Sequence, residues 1–154
     1  MEARLRKTLE GGGFRDVPNA RSRTMAAIRG RGNRTTELRM RMAMVRAGIR
    51  GWEMNAKDVL GKPDFFFREN RIAVFIDGCF WHGCPRCGHY PKTRSVFWKA
   101  KIARNKERDK KNRRRLRRDG IGVISIWEHS LKDPRRLRLR MEKLMRLVEV
   151  RTRR

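Results

Sequence analysis

Residues 72–84 read Ile-Ala-Val-Phe-Ile-Asp-Gly-Cys-Phe-Trp-His-Gly-Cys, and this stretch decides the fold. Ile72 to Ile76 is a continuous apolar run of strand length, which predicts a strand buried on both faces. It ends in Asp77 and runs into an irregular segment, residues 78–95, that holds every cysteine of the chain. Upstream, Pro63-Asp64-Phe65-Phe66-Phe67 predicts a short apolar strand opening with an acid, joined to the first by a tight turn at Glu69-Asn70. Ile49–Met54 is a further strand candidate. Downstream, Phe97 to about Asp119 predicts a long helix closed by Gly120, Ile121–Trp127 another buried strand, and Pro134 to about Val148 a basic helix.

Before the strands, Thr35 reads as a helix N-cap, with Glu37 in the first turn, where the helix dipole favours a carboxylate. Leu38, Met42 and Val45 follow at helical spacing, and Gly48 is a natural C′ residue. A shorter helix is expected from a Ser22 cap through Met25 and Ile28, stopped by Gly30-Arg31-Gly32-Asn33. Gly11-Gly12-Gly13 and Pro18-Asn19 make residues 1–20 a flexible basic lead-in, leaving 21–154 as one domain. The element order predicts an α/β fold, a mixed β-sheet flanked by helices.

Composition narrows the partner. The chain has 154 residues, 42 Lys+Arg against 16 Asp+Glu, and a formal net charge of +26. Such an excess fits a polyanion, most simply nucleic acid. Arg outnumbers Lys, and guanidinium forks grip phosphate bidentately and stack on bases. No apolar run approaches the roughly 18 to 20 residues of a membrane span, and the N-terminus lacks a secretory h-region. A disordered basic tail is disfavoured by 38% hydrophobic residues and four Trp. The expected setting is the prokaryotic cytoplasm, at the nucleoid, with no membrane partner.

Three groups of residues carry chemistry. Cys84-Pro-Arg-Cys87-Gly88 has the form of a zinc knuckle, in which two thiolates reach one ion and the glycine lets the turn close. Cys79 is the obvious third ligand. His82, His89 and His129 compete for the fourth place, and His129 is preferred because a ligand from a distant strand end would also staple the fold. Second, hairpin geometry brings Asp64 towards Asp77, and carboxylates converging beside a His suit Mg²⁺ and phosphodiester hydrolysis. Glu37 is a third acid able to face that site. The stripe Trp98, Ile102, Asn105, Asp109, Asn112 and Leu116 lies on one face of the long helix and has a polar middle. Asn105 and Asp109 are therefore expected to face the active end of the sheet. Third, Phe80, Trp81, Trp98 and Trp52 lie near basic residues, and aromatic side chains can wedge between bases and kink DNA; Trp52 and Trp127 are read as core, and Phe80 and Trp81, in the irregular segment, as exposed.

Together, Gly61-Lys62-Pro63-Asp64-Phe65, Phe75 through Pro85, Asn105-x-Glu107-Arg108-Asp109 and Ile126-Trp127-Glu128-His129 resemble the very-short-patch-repair DNA mismatch endonucleases. Arg21 to Ile28 and Thr36-Glu37-Leu38-Arg39 match as well, so the resemblance covers about residues 21–148. It implies a restriction-endonuclease-like core with a structural zinc site, and nicking of one strand 5′ to the T of a T:G mismatch left by deaminated 5-methylcytosine. It implies Asp64 and the Ile76 carbonyl as Mg²⁺ ligands, His82 as activator of the attacking water, and Glu37 and Asp109 in support. Cys79, Cys84, Cys87 and His129 would hold zinc. Phe80, Trp81 and Trp98 would wedge beside the mismatch, with Met25 entering from the other groove. Asp77 stands where the family's prototype carries a catalytic-site His, so it is also a catalytic candidate. Cys84 and His129 exchange ligand types with that prototype. Arg113 and Arg114, on the basic long helix, are expected to contact DNA.

The expected partner is double-stranded DNA carrying a mismatch, bound by a monomer, with repair proteins as candidate protein partners. Two other readings compete. One is a related nuclease without mismatch specificity, serving restriction or phage defence. The other is a zinc-containing nucleic-acid-binding protein without catalysis.

Overall fold

The structure, a computed structural model, describes residues 34–153. The expected lead-in, the Ser22–Ile28 helix and Met25 lie outside those residues. The elements are α1 (Arg34–Arg46), β1 (Trp52–Met54), β2 (Phe65–Phe67), β3 (Ile72–Asp77), α2 (Ser95–Arg118), β4 (Gly122–Trp127), α3 (Glu128–Lys132) and α4 (Pro134–Thr152). The sheet is mixed, as expected. Its order is β1-β2-β3-β4, with the first two pairings antiparallel and β3–β4 parallel.

Alternation along the strands sorts the core into two layers. Phe65, Phe67, Ile72, Val74, Ile124 and Ile126 pack on one face with Met40 and Met44 of α1, Leu131 of α3, and Met141 and Leu144 of α4. Phe66 and Ala73 pack on the other face with Leu116 of α2. The strand predicted from Ile72 is thus covered on both sides. β4 is different: it forms the sheet edge, so only Ile124 and Ile126 are buried while Trp127 is half-open.

α1 corrects two expectations. Its helix begins at Arg34, so Thr35 lies inside the first turn rather than before it, although Glu37 is in that turn as expected. The buried face is Thr36, Met40 and Met44, and Leu38, Met42 and Val45 are exposed. Apolar residues at alternate positions offered two faces, and the C-terminus selects between them. Gly48, at φ 71°, ends the helix as expected, with its N–H on Val45 O (3.1 Å) and Ile49 N–H on Met44 O (2.9 Å). This Schellman arrangement folds buried Ile49 back over Met44. It also explains why the strand candidate from Ile49 shortens to Trp52–Met54: Ile49 closes the helix, and Gly51 turns the chain with a φ of 78°.

The short α3, absent from the sequence reading, follows β4 without a loop and carries His129. Asp133 then caps α4, its Oδ1 accepting the N–H groups of Arg135 and Arg136 at 3.0 and 3.3 Å, with Pro134 in the first turn.

Candidate active site and metal centre

The site forms where the ends of β2 and β3 meet α2. Asp64 directly precedes β2, and its Oδ2 accepts the Ile76 N–H at 2.6 Å. The acid that opens one strand is thereby fixed to the end of the next, although the two carboxylates expected to converge, Asp64 and Asp77, line different hollows. Strand alternation puts Asp64 on the Phe66 side and Asp77 on the Ala73 side, both towards α2. From α2, Asn105, Asp109 and Arg113 face them at four-residue spacing. Asn105 Nδ2 donates to Trp81 O (3.1 Å), His82 Nδ1 lies 2.5 Å from Asp109 Oδ2, and Arg113 donates to Asp77 Oδ1 (2.5 Å).

His82 and Asp109 form a wall between two hollows of about 470 Å³ each. The first holds Asp64, Ile76, Trp81, Asn105 and Arg108. The second holds Asp77, Ser125 and Trp127 beneath Lys106, Lys110, Arg114 and Arg117. Asp64, Ile76, His82 and Asp109 are therefore assembled in one place. Asp77 is not in the hollow of Asp64. It is buried, with His82 Nδ1 3.8 Å away and Arg113 against it. Glu37, half-buried in the first turn of α1, lines neither hollow.

The charges of Asp77 and Asp109 diverge for physical reasons. Burial pushes the Asp77 carboxyl above the ordinary range, and Arg113 and His82 only partly offset it. Burial also acts upwards on Asp109, but hydrogen bonds from His82 and Arg108 outweigh it and hold Asp109 low. Asp109 is thus the ionised partner of His82, and Asp77 is a costly buried acid that depends on Arg113. Arg113 pairs with Asp77 and lies over the Phe75 ring at 5.3 Å, and both Arg113 and Arg114, the two arginines expected on DNA, line the basic hollow. The signal was present: Arg113 is four residues from Asp109, on its face of the helix. Among the described residues, Asp77 Oδ2 and Arg113 Nε have no hydrogen-bond partner.

A double substitution tests that pair. Arg113→Met alone strands the Asp77 charge and is expected to cost about 3–5 kcal/mol in urea unfolding. Asp77→Leu combined with Arg113→Met removes both charges and is expected to restore stability to the wild-type value or above it. A double variant as unstable as the single one would show that the two groups do not act as a unit.

The aromatic cluster stands beside the first hollow. Phe80, Trp81 and Trp98 meet edge to face at centroid distances of 5.0 to 6.0 Å, all three are half-exposed, and the Lys101 ammonium lies 5.4 Å from the Trp81 ring centre. Trp52 fits its core assignment, packing on Phe65 and donating from Nε1 to Ile49 O at 3.2 Å. Trp127 does not. It lines the second hollow and stacks on His129 with ring planes 9° apart.

On the far side of Trp127, Cys79, Cys84, Cys87 and His129 converge, with one donor atom from each within 4.8 Å of the others. Nδ1 of His129 lies 3.3, 3.6 and 3.4 Å from the three sulfurs, and Cys84 and Cys87 Sγ are 3.5 Å apart. A tetrahedral ion with ligand bonds of about 2.0–2.3 Å spaces its donors about 3.5–3.8 Å apart, so the set fits a single thiophilic metal. Among the three histidines, His129 is the one the fold brings to the cysteines, from 42 residues beyond Cys87. The knuckle glycine is obligatory: Gly88 N–H bonds Cys84 O at 2.8 Å, and a Cβ on Gly88 would stand 2.4 Å from that oxygen.

Two of the four groups, Cys84 and His129, are poised as ligands, whereas Cys79 must lose a proton first. Burial and the adjacent Cys87 push the Cys79 thiol up to about 12. Burial raises Cys84 too, but N–H groups of Cys87 and Arg86 outweigh it and favour the thiolate. Burial, together with Arg136, Arg86 and Arg140, holds His129 below its ordinary value, keeping the imidazole neutral for ligation. Sequence reasoning missed Glu128, whose Oε2 accepts the Cys79 N–H at 3.4 Å and ties the cysteine loop to α3.

Comparison with known proteins adds an independent finding. Residues 15–87 match the family model described as DNA mismatch endonuclease Vsr. The chain is 41% identical over 113 residues to the type II nicking enzyme V.NaeI of Lentzea aerocolonigenes, covering 71% of this chain and 68% of that one. It is 33% identical over 130 residues to the type II nicking enzyme V.XorIIP of Xanthomonas oryzae pv. oryzae, covering 83% and 93%. It is 36% identical over 121 residues to the DNA mismatch endonuclease Vsr of Escherichia coli strain K12, covering 76% and 74%.

Proposed function

The chain belongs to the DNA mismatch endonuclease Vsr family, and on that premise we propose that it is a DNA endonuclease that nicks one strand 5′ to the T of a T:G mismatch. The observation that carries this reading is the joint placement of Asp64, Ile76, His82 and Asp109 around one hollow beside an aromatic cluster.

Asp64 and the Ile76 carbonyl are the proposed holders of Mg²⁺, an ion that takes one or two carboxylates and shares itself with phosphate. Bound there, Mg²⁺ supplies positive charge against the charge that builds on the scissile phosphate. The Ile76 N–H orients the Asp64 carboxylate, so the acid is preorganised rather than recruited on binding. Asp109 holds His82 through Nδ1, leaving Nε2 as the nitrogen to take a proton from the attacking water. Asp109 then stabilises the imidazolium. Arg108, at 2.9 Å from Asp109, and Lys62 bring positive charge to the rim, where a phosphate backbone must lie. Glu37 supports the site only through the family resemblance. Asp77 acts from behind His82, as a positioning residue with Arg113. The Cys79–Cys84–Cys87–His129 set is proposed to bind structural zinc.

Phe80, Trp81 and Trp98 are proposed to wedge into the duplex, where a mismatched step unstacks at lower cost. Trp81→Ala is expected to weaken binding to a T:G duplex by about 1–3 kcal/mol, the scale of losing one base–aromatic stack. Binding to the matched duplex should change much less, and titration of both duplexes at one salt concentration reads the difference.

The deciding experiment is a nicking assay on a T:G duplex and its T:A control, with and without EDTA. Nicking of the T:G substrate alone, abolished by EDTA, is the expected result. Equal cutting of both duplexes would instead mark a nuclease without mismatch specificity. Binding without cutting by the wild type would leave a non-catalytic DNA-binding protein. Among the described residues no helix is long and apolar enough to cross a membrane.

A further inference from the structure

A third hollow, of about 500 Å³, opens on the other side of His129 from the active cleft. Arg86 enters it from the cysteine loop, and Arg136, Arg140 and Lys143 enter from one face of α4 at four- and three-residue spacing. We propose that this hollow is a second phosphate-binding site, which takes backbone phosphates of the same DNA duplex outside the cleft. The proposal rests on the DNA reading above and extends it to a surface with no part in cleavage.

Three observations separate the hollow from the generally basic surface. Its four cations come from two distant segments and converge on a concavity, whereas scattered surface charges point apart. No carboxylate lines it, in contrast to the cleft with Asp64, Asp77 and Asp109, so it is built for an anion and offers no oxygen site for Mg²⁺. Arg136 Nε lies 3.0 Å from Asp133, outside the lining; Arg86, Arg140 and Lys143 make no ion pair among the described residues. Four like charges held together repel, and the arrangement is satisfied when a polyanion supplies the counter-charge. The cysteine cluster fixes Arg86 opposite α4, because Arg86 lies between two of the four converging residues.

The test is the salt dependence of binding by the full chain with its metal in place. Equilibrium binding is measured over a salt series, on duplexes from about 10 to about 40 base pairs, or about one to four helical turns. Wild type is compared with Arg140→Gln/Lys143→Gln and with Arg138→Gln, a control on α4 that does not line the hollow. On the long duplex the double variant is expected to lose about 0.9 in log–log salt slope per phosphate contact removed, near 1.8 in all. On the shortest duplex, held in the cleft, it should match wild type, and Arg138→Gln should match wild type throughout. An unchanged slope on the long duplex overturns the proposal, as does an equal loss on the shortest duplex or with the control. Inorganic phosphate that binds the wild type but not the double variant in calorimetry, without displacing the long duplex, would assign the hollow to free phosphate and overturn the duplex assignment. Binding is read apart from cleavage, so a wild type that binds with the expected slopes but fails to nick would sink the endonuclease reading alone.

Discussion

Asp64→Ala is expected to reduce nicking of a T:G duplex by at least about 10²–10³-fold, the scale of losing one preorganised charge-stabilising group, while leaving DNA affinity nearly intact. Two features separate the effects. Asp64 is bound to the Ile76 N–H at 2.6 Å inside the cleft, so its loss removes the proposed cation ligand without disturbing the core faces. Affinity comes instead from the surrounding Lys and Arg, and removal of a carboxylate from a basic cleft leaves that attraction intact. Single-turnover nicking at saturating protein, paired with a binding titration, checks both halves. Mg²⁺-dependent nicking by Asp64→Ala at more than a tenth of the wild-type rate would overturn its role. Asp64→Asn, which keeps the shape but not the charge, should behave like Asp64→Ala.

Cys84→Ser is expected to lose bound zinc, one ion per chain in the wild type, and with it several kcal/mol of stability. Structural zinc contributes apparent free energies of about 10–16 kcal/mol in zinc-finger peptides, so even a fraction of that exceeds an ordinary core substitution. The geometry explains why the loss should reach beyond the loop. Cys84 is the buried thiol of the set, and its cluster ties residues 79–87 to His129 at the start of α3. That same loop carries His82, Phe80 and Trp81. Metal analysis of purified protein and thermal melting with and without a chelator test this directly. A wild type free of metal, or a Cys84→Ser chain with unchanged melting and full nicking, would remove the structural-metal assignment. Because the ligands must be deprotonated, metal release is expected as pH falls.

Local pattern carried much of the fold. The apolar run at Ile72–Ile76 and the triple Phe at 65–67 form strands where expected, and Asn105 and Asp109 line the hollow beside the strand ends. Spacing alone was insufficient where two faces competed. In α1, alternate apolar residues fitted either side, and the Schellman turn at Gly48 chose Met40 and Met44. In β4, apolar composition suggested two-sided burial, yet an edge position left Trp127 half-open, stacked on His129.

The sequence by itself determined the class of chemistry: a Cys-x-x-Cys-Gly turn, acids at strand ends and a +26 charge, all set by residue type and short-range spacing. Only the tertiary structure decided which groups meet. It brought His129 to the cysteines across 42 residues, paired His82 with Asp109, and withdrew Asp77 from the Asp64 hollow onto Arg113. The physical reason is that a residue's partners in a folded chain are set by how helices pack across the sheet. That packing also gave two sequence neighbours different partners: half-buried Arg113 pairs with Asp77, while Arg114 is exposed, and both line the basic hollow.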